Sequence, residues 1–150
     1  MRAPRLYIDA SVVGGCFDEE FAEDSEALLQ MAEEGHAVLL VSDVLALELD
    51  AAPPRVRERF GALPPESLEL LQRSAESEHL RDAYVQAGVV GPQSRNDAHH
   101  VALATIARAD TVVSWNFHHM VHIDKIRGFN AVNLREGYGT IDIRSPKEIV

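Results

Sequence analysis

A chain of 150 residues, 46% of them apolar, is long enough to fold as one domain around a buried core. Its 24 acids against 14 Lys and Arg give a formal charge of -10, which excludes loose, sequence-blind wrapping of nucleic acid on a basic surface. Cation-dependent chemistry stays open, because bound cations invert the local electrostatics of an acidic pocket. The single cysteine, Cys16, excludes an intrachain disulfide and a cysteine metal knuckle, and fits a reducing, cytoplasmic setting. The opening MRAPRLYIDA has basic residues but no apolar segment of the kind a secretion signal carries. No apolar run approaches the roughly 18 residues of a membrane span.

Arg5 to Asp9 (RLYID) is a short apolar run that predicts a buried strand ending in Asp9-Ala10-Ser11. A turn through Gly14 and Gly15 leads to a helix from about Glu20 to Glu34, with Gly35 as its C-cap. Ala37 to Val41 is uninterrupted and apolar, the pattern of a strand buried on both faces. Ser42 or Asp43 can cap the next helix, VLALELDA, which Pro53-Pro54 ends. A short basic helix, PRVRERF, follows. After Pro64-Pro65, Glu66 to Ala87 reads as one long helix with leucines near helical spacing.

Gly88 to Pro92 is a loop, and Ser94-Arg95-Asn96-Asp97 resembles the start of a capping box for a helix running to about Arg108. TVVSW is a third strand. His118 to Arg127 reads as a short helix stopped by Gly128, and NAVNL and TIDIRS as two last strands, the second ended by Pro146. Strands alternating with helices predict an α/β fold with a mainly parallel sheet and helices on both faces.

Asp9, Glu48, Asp97 and Asn116 are the candidate site residues. Asp9 and Asn116 follow strands, Asp97 begins a helix, and Glu48 lies about one and a half turns into the helix after the second strand. Parallel strands bring their carboxyl ends to one edge, where ligands bind in such sheets. Hard oxygen donors gathered there suit magnesium or manganese. Two such ions can stabilise both the attacking and leaving oxygens of a phosphodiester. Each residue also has a plainer reading: Asp9 satisfies turn amides, Asp97 complements a helix dipole, Glu48 is solvated and Asn116 forms a turn.

YIDASV, SDVLALELD and NDAHHVALATIARADTVVSWNFHHM, in that order and spacing, resemble the PIN domain superfamily and, within it, VapC-type toxin ribonucleases. The resemblance spans nearly the whole chain. It implies a three-layer α/β/α sandwich and an endoribonuclease that uses Mg²⁺ or Mn²⁺, leaving 5′-phosphate and 3′-hydroxyl ends. Asp9, Glu48 and Asp97 match the family's acidic, metal-holding positions, and Ser11 matches the small hydroxyl position beside the first. A homodimer and an antitoxin protein that blocks the pocket are implied as well. Many members carry a further Asp after the third strand, where this chain has Ser114-Trp115-Asn116-Phe117. Asn116 brings a neutral carbonyl oxygen and no charge, so a weaker second ion is expected, and SWNF reads as a subgroup's form.

His100 and His119 are candidates for contacts with substrate or with the carboxylates, and Arg55 and Arg59, on one helical face, for phosphate contacts. A surface pairing of the arginines with Glu58 or Glu66 stands beside that reading. His118 and His122 are four apart, a spacing that can hold zinc, but without the HExxH glutamate of a metalloprotease. Trp115 ends an apolar strand and reads as core rather than a stacking platform. Nothing marks Cys16 as a nucleophile. The main alternative is a PIN-like module that only binds RNA or a protein, kept open by Asn116. A phosphoacceptor domain would need a lysine by the pocket, and Lys125 and Lys147 do not follow strands directly. Walker, GxGxxG and GxSxG motifs are absent.

Overall fold

The computed structural model describes residues 2–150, and in it the first apolar run forms β1 (Arg5–Ile8). Asp9, in an extended conformation, caps α1 (Ala10–Gly15) by accepting the Ser11 N–H. α2 (Ala22–Glu33) turns Leu28, Leu29 and Ala32 inward, and Gly35, at φ 81°, lets the chain leave it in the left-handed conformation. β2 (Val38–Ser42) passes into α3 (Asp43–Asp50) without a loop, because the Ser42 hydroxyl accepts the Leu45 N–H. Pro54 opens α4 (Pro54–Gly61), where its missing N–H costs nothing. Arg57 of that helix donates to the carbonyls of Leu49, Asp50 and Ala52, closing the end of α3.

The long helix expected over Glu66–Ala87 is divided. Pro65–Ser67 makes one 3-10 turn, Leu68–Leu71 is β3, and the helix itself, α5, spans only Ala75–Gln86. LELL consists of good helix formers, but pairing with β2 from Leu39↔Leu68 to Ser42↔Leu71 overrides that preference. α6 (Arg95–Ile106) begins after Ser94, whose side chain makes no cap bond, so the expected capping box does not form there. Ser74 and Ser77 form one on α5 instead. β4 (Thr111–Val113) is the core of TVVSW.

The chain after β4 departs most from expectation. The residues from His118 to His122 are not helical, so His118 and His122 do not share a helical face. His122 instead caps α7 (Ile123–Arg135), its Nδ1 accepting the Asp124 N–H. That helix runs through Gly128 and takes in NAVNL, which is therefore not a strand. Gly128 is a packing glycine rather than a stop: a Cβ there would stand 3.0 Å from the Val89 side chain. The last strand, β5, is only Ile143–Arg144, and Pro146 opens α8 (Pro146–Ile149) behind a Ser145–Glu148 capping box.

The five strands pair in parallel in the order β3-β2-β1-β4-β5. Alternate side chains feed two cores. Leu6, Ile8, Leu39, Val41 and Val113 pack against α1, α2, α3 and α4. Tyr7, Leu40 and Val112 pack on the other face with residues of α5, α6 and α7. The result is a three-layer α/β/α sandwich. Strand order reverses between β1 and β4, which makes their carboxyl ends the crevice where such sheets bind ligands.

Gly15 sits where α1 meets that crevice. A Cβ on it would collide with Ser25 Oγ and stand 2.8 Å from Trp115 Nε1, whereas one on Gly14 meets nothing within 4 Å. We therefore expect Gly15→Ala to lower stability by about 1–3 kcal/mol by overpacking, and Gly14→Ala to leave it unchanged or raise it by roughly 0.5–1 kcal/mol. Urea unfolding of the two variants checks this; equal effects would contradict the packing described.

Candidate active site

Asp9 and Ser114 face each other because Ile8 and Val113, the residues before them, are register partners in β1 and β4. Asp9 is buried, and its two oxygens are held separately. Oδ1 accepts the Ser11 hydroxyl at 2.5 Å and the Ser11 N–H at 3.2 Å; Oδ2 accepts the Ser114 hydroxyl at 2.7 Å. Both hydroxyls are fixed in turn, Ser11 Oγ by the Trp115 N–H and Ser114 Oγ by the Asn116 N–H. Burial pushes the Asp9 pKa up, against the pull of His100 and of these hydrogen bonds.

Glu48 reaches the same place from α3. Its Oε1 accepts the N–H of Ala10, next to Asp9, at 3.3 Å, and lies 2.8 Å from His100 Nε2. His100 is wholly buried, with Nδ1 2.6 Å from the Tyr7 hydroxyl, which lies 2.7 Å from Ser42 Oγ. Burial works against the imidazolium, but the Glu48 hydrogen bond and charge, with Asp9 and Asp97, outweigh it and raise the His100 pKa. In that form Nε2–H donates to Glu48 and Nδ1–H to the Tyr7 oxygen. The path from Glu48 to the start of α3 is thus continuous.

Asp97 lies in the first turn of α6 and is half-buried. Burial raises its pKa, while His100, His119 and the Asn116 amide pull the other way and Glu48 adds to the rise. His100 therefore feels all three acids. Asn116 turns its carbonyl to the His119 N–H at 2.9 Å, so it shapes the loop after β4. The His119 side chain is left with a buried Nδ1 that has no partner.

The arginines are placed differently from one another. Arg55 is exposed, its guanidinium carbon 5.2 Å from the Phe17 ring centre. Arg59 is occupied: it pairs with Glu26 at 3.0 Å and Glu33 at 2.8 Å, both on α2 and neither of them the partners the sequence suggested. Trp115 is buried and Cys16 half-buried, its pKa pushed up to about 12 mainly by burial. Ser42 was legible as the cap of α3, but its bond to Tyr7 was not, and Ser114 and Tyr7 were not singled out at all, since a buried hydroxyl gains meaning only when the fold sets it against an acid or an imidazole.

The donor set, three carboxylates with hydroxyl and amide neighbours, has the hard-oxygen chemistry of Mg²⁺ or Mn²⁺. Among the described residues, however, no three His, Cys, Asp or Glu side chains are gathered as a ready cage for one ion. That is compatible with magnesium, which keeps several waters and is held by one or two carboxylates.

Tyr7→Phe should remove the link between His100 and Ser42 and strand polar atoms in the core. The expected loss is about 1–3 kcal/mol, read by urea unfolding; an unchanged midpoint would show that the buried path carries no load.

A family model described as PIN domain matches residues 5–118. No curated protein matches the chain significantly. Among solved structures, VapBC2 of Rickettsia felis, bound to a DNA fragment from its promoter, is similar with a TM-score of 0.60 at 11% identity, over 94% of this chain and 98% of the other. VapC20 of Mycobacterium tuberculosis, a sarcin–ricin-loop-cleaving toxin, is similar with a TM-score of 0.55 at 11% identity, over 91% of this chain and 98% of that one. At that identity the two likenesses speak for the fold, while the family match covers most of the chain: it belongs to the PIN domain family.

Proposed function

We propose that the chain is a divalent-metal-dependent endoribonuclease, the toxin of a type II toxin–antitoxin pair, acting in the cytoplasm as a single-domain protein. The observation that carries this is the meeting of Asp9 and Glu48 at the β1/β4 crevice, with Asp97 within electrostatic reach. Membership of the PIN family supports it, as does the fold shared with a toxin that cleaves the sarcin–ricin loop. The fold shared with a VapBC assembly supports an antitoxin partner; a homodimer is part of the same reading. No helix is long and apolar enough to cross a membrane among the described residues.

In this reading Asp9, Asp97 and Glu48 hold Mg²⁺ or Mn²⁺. Such an ion supplies Lewis acidity, making water more acidic and neutralising charge on phosphoryl oxygens. Ser11 and Ser114 fix the direction of both Asp9 oxygens, so the carboxylate needs no reorganisation when phosphate arrives. His100 anchors Glu48 from behind. Asn116 holds the loop that carries His119 beside Asp97, and Arg55 is free to meet the RNA backbone.

Asn116 also favours a second reading, a PIN-like module that binds RNA or a protein without cutting. Its carbonyl is engaged by the His119 N–H, and it brings no charge of its own to the acids. RNA cleavage separates the two. We expect wild type to cut single-stranded RNA with Mg²⁺ or Mn²⁺ and to stop in EDTA, and Asp9→Asn and Asp97→Asn each to lose about 100-fold or more, the scale for removing a preorganised charge-stabilising group. Cleavage that survives both substitutions, or EDTA, would overturn the nuclease reading; uncut RNA in every condition would favour the binding module.

A further inference from the structure

Ser11, which holds Asp9, also lines a groove of about 240 Å³ together with Gly14, Gly15, Asp18, Phe21 and Trp115. Its size lies below the roughly 300–1,000 Å³ of pockets that enclose a whole small molecule, so it suits one planar group. One wall is aromatic. Trp115, 8% exposed, donates its indole N–H to Ser25 Oγ at 2.8 Å, and Phe21 stacks on it with ring centres 4.1 Å apart and planes 18° apart. Phe117 stands 6.0 Å from Trp115 and 6.4 Å from Phe21, yet is 48% exposed. The opposite wall has no side chain at Gly14, where a Cβ would meet nothing within 4 Å.

We propose that this groove is a stacking subsite for one unpaired nucleobase of single-stranded RNA, set beside the Asp9 crevice. The proposal rests on the ribonuclease reading above. Aromatic faces hold bases of any sequence by stacking, and do so only when the bases are unpaired. The carboxylate of Asp18 on the lining repels phosphate, so the groove takes the base and not the backbone. With 24 acids against 14 Lys and Arg, the chain gains less from released counterions than a basic RNA-binder does, and stacking adds to what Arg55 contributes at the backbone. The Trp115 N–H bond to Ser11 Oγ, and the Ser11 bond to Asp9, join the groove directly to the acids.

Trp115 is the only tryptophan and reports on its own wall. The test titrates wild-type protein in EDTA, which keeps the RNA intact, with a short single-stranded RNA, with the same ribose-phosphate chain lacking its bases, and with an RNA duplex. We expect a saturable change in Trp115 emission with the single strand only, and affinity about tenfold or more lower for the abasic chain. Gly14→Leu, whose Cβ has open space and whose longer side chain occupies the groove, and Phe117→Ala, on an exposed ring, should each weaken the single strand similarly while melting like wild type. Between 50 and 200 mM salt the affinity should fall far less than the roughly 10³-fold of a phosphate-driven binder.

Equal binding of the abasic chain, wild-type affinity in both variants, or no binding at all would overturn the proposal. So would an emission change that follows protein concentration alone, which would make the aromatic wall a contact between copies. Stacking-type binding to RNA that Mg²⁺ never causes to be cut would sink the nuclease reading and leave the subsite. Cutting that Gly14→Leu and Phe117→Ala do not slow would do the reverse.

Discussion

The Ser114 hydroxyl, donated across 2.7 Å to Asp9, ties the end of β4 to the end of β1 at the one place where the strand order turns back. Everything at the site is arranged around that bond. The parallel register brings the two residues level, and the buried runs TVV and LYI, locked between two cores, keep the register from slipping. Asp9 then serves twice, as the cap of α1 and as the deepest acid of the crevice. The second acid arrives because β2 turns into α3 with no intervening loop, so that Glu48 comes back over Ala10.

Gathering acids in this way costs stability. Burial raises the pKa of both Asp9 and Asp97, and each also feels Glu48 as a like charge. One buried imidazole, His100, offsets part of the repulsion from within the fold. A protein selected for stability alone would have little use for the cluster. Carboxyls with raised pKa values at a topological switch mark a candidate functional site.

Much of the frame was legible in the chain. RLYID, AVLLV and TVVSW are continuous apolar runs, and such runs mark strands covered on both faces. The places of Asp9 and Asp97 were legible because strand ends and helix starts carry local signals, whereas Glu48, well inside α3, stood out only through its match to a family position. LELL was not legible, since its residues favour helix and only pairing with β2 makes them a strand. Gly128 and NAVNL misled for a related reason: the glycine answers to the Val89 side chain from another element rather than to its own neighbours. The seating of Asp9 and Glu48 was likewise hidden, because Ser114, Tyr7 and Ser42 act through contacts made far apart in sequence.

On the reading proposed above, the carboxylates around the β1/β4 crevice take up a doubly charged ion. Paramagnetic resonance of free Mn²⁺, titrated into the full chain near neutral pH, tests it without any substrate. We expect saturable loss of the free-ion signal in wild type, competed by Mg²⁺ and much weakened by Asp97→Asn in a protein that still melts normally. A signal that stays free at protein concentrations well above that of the metal, or uptake that Asp97→Asn does not change, would contradict it.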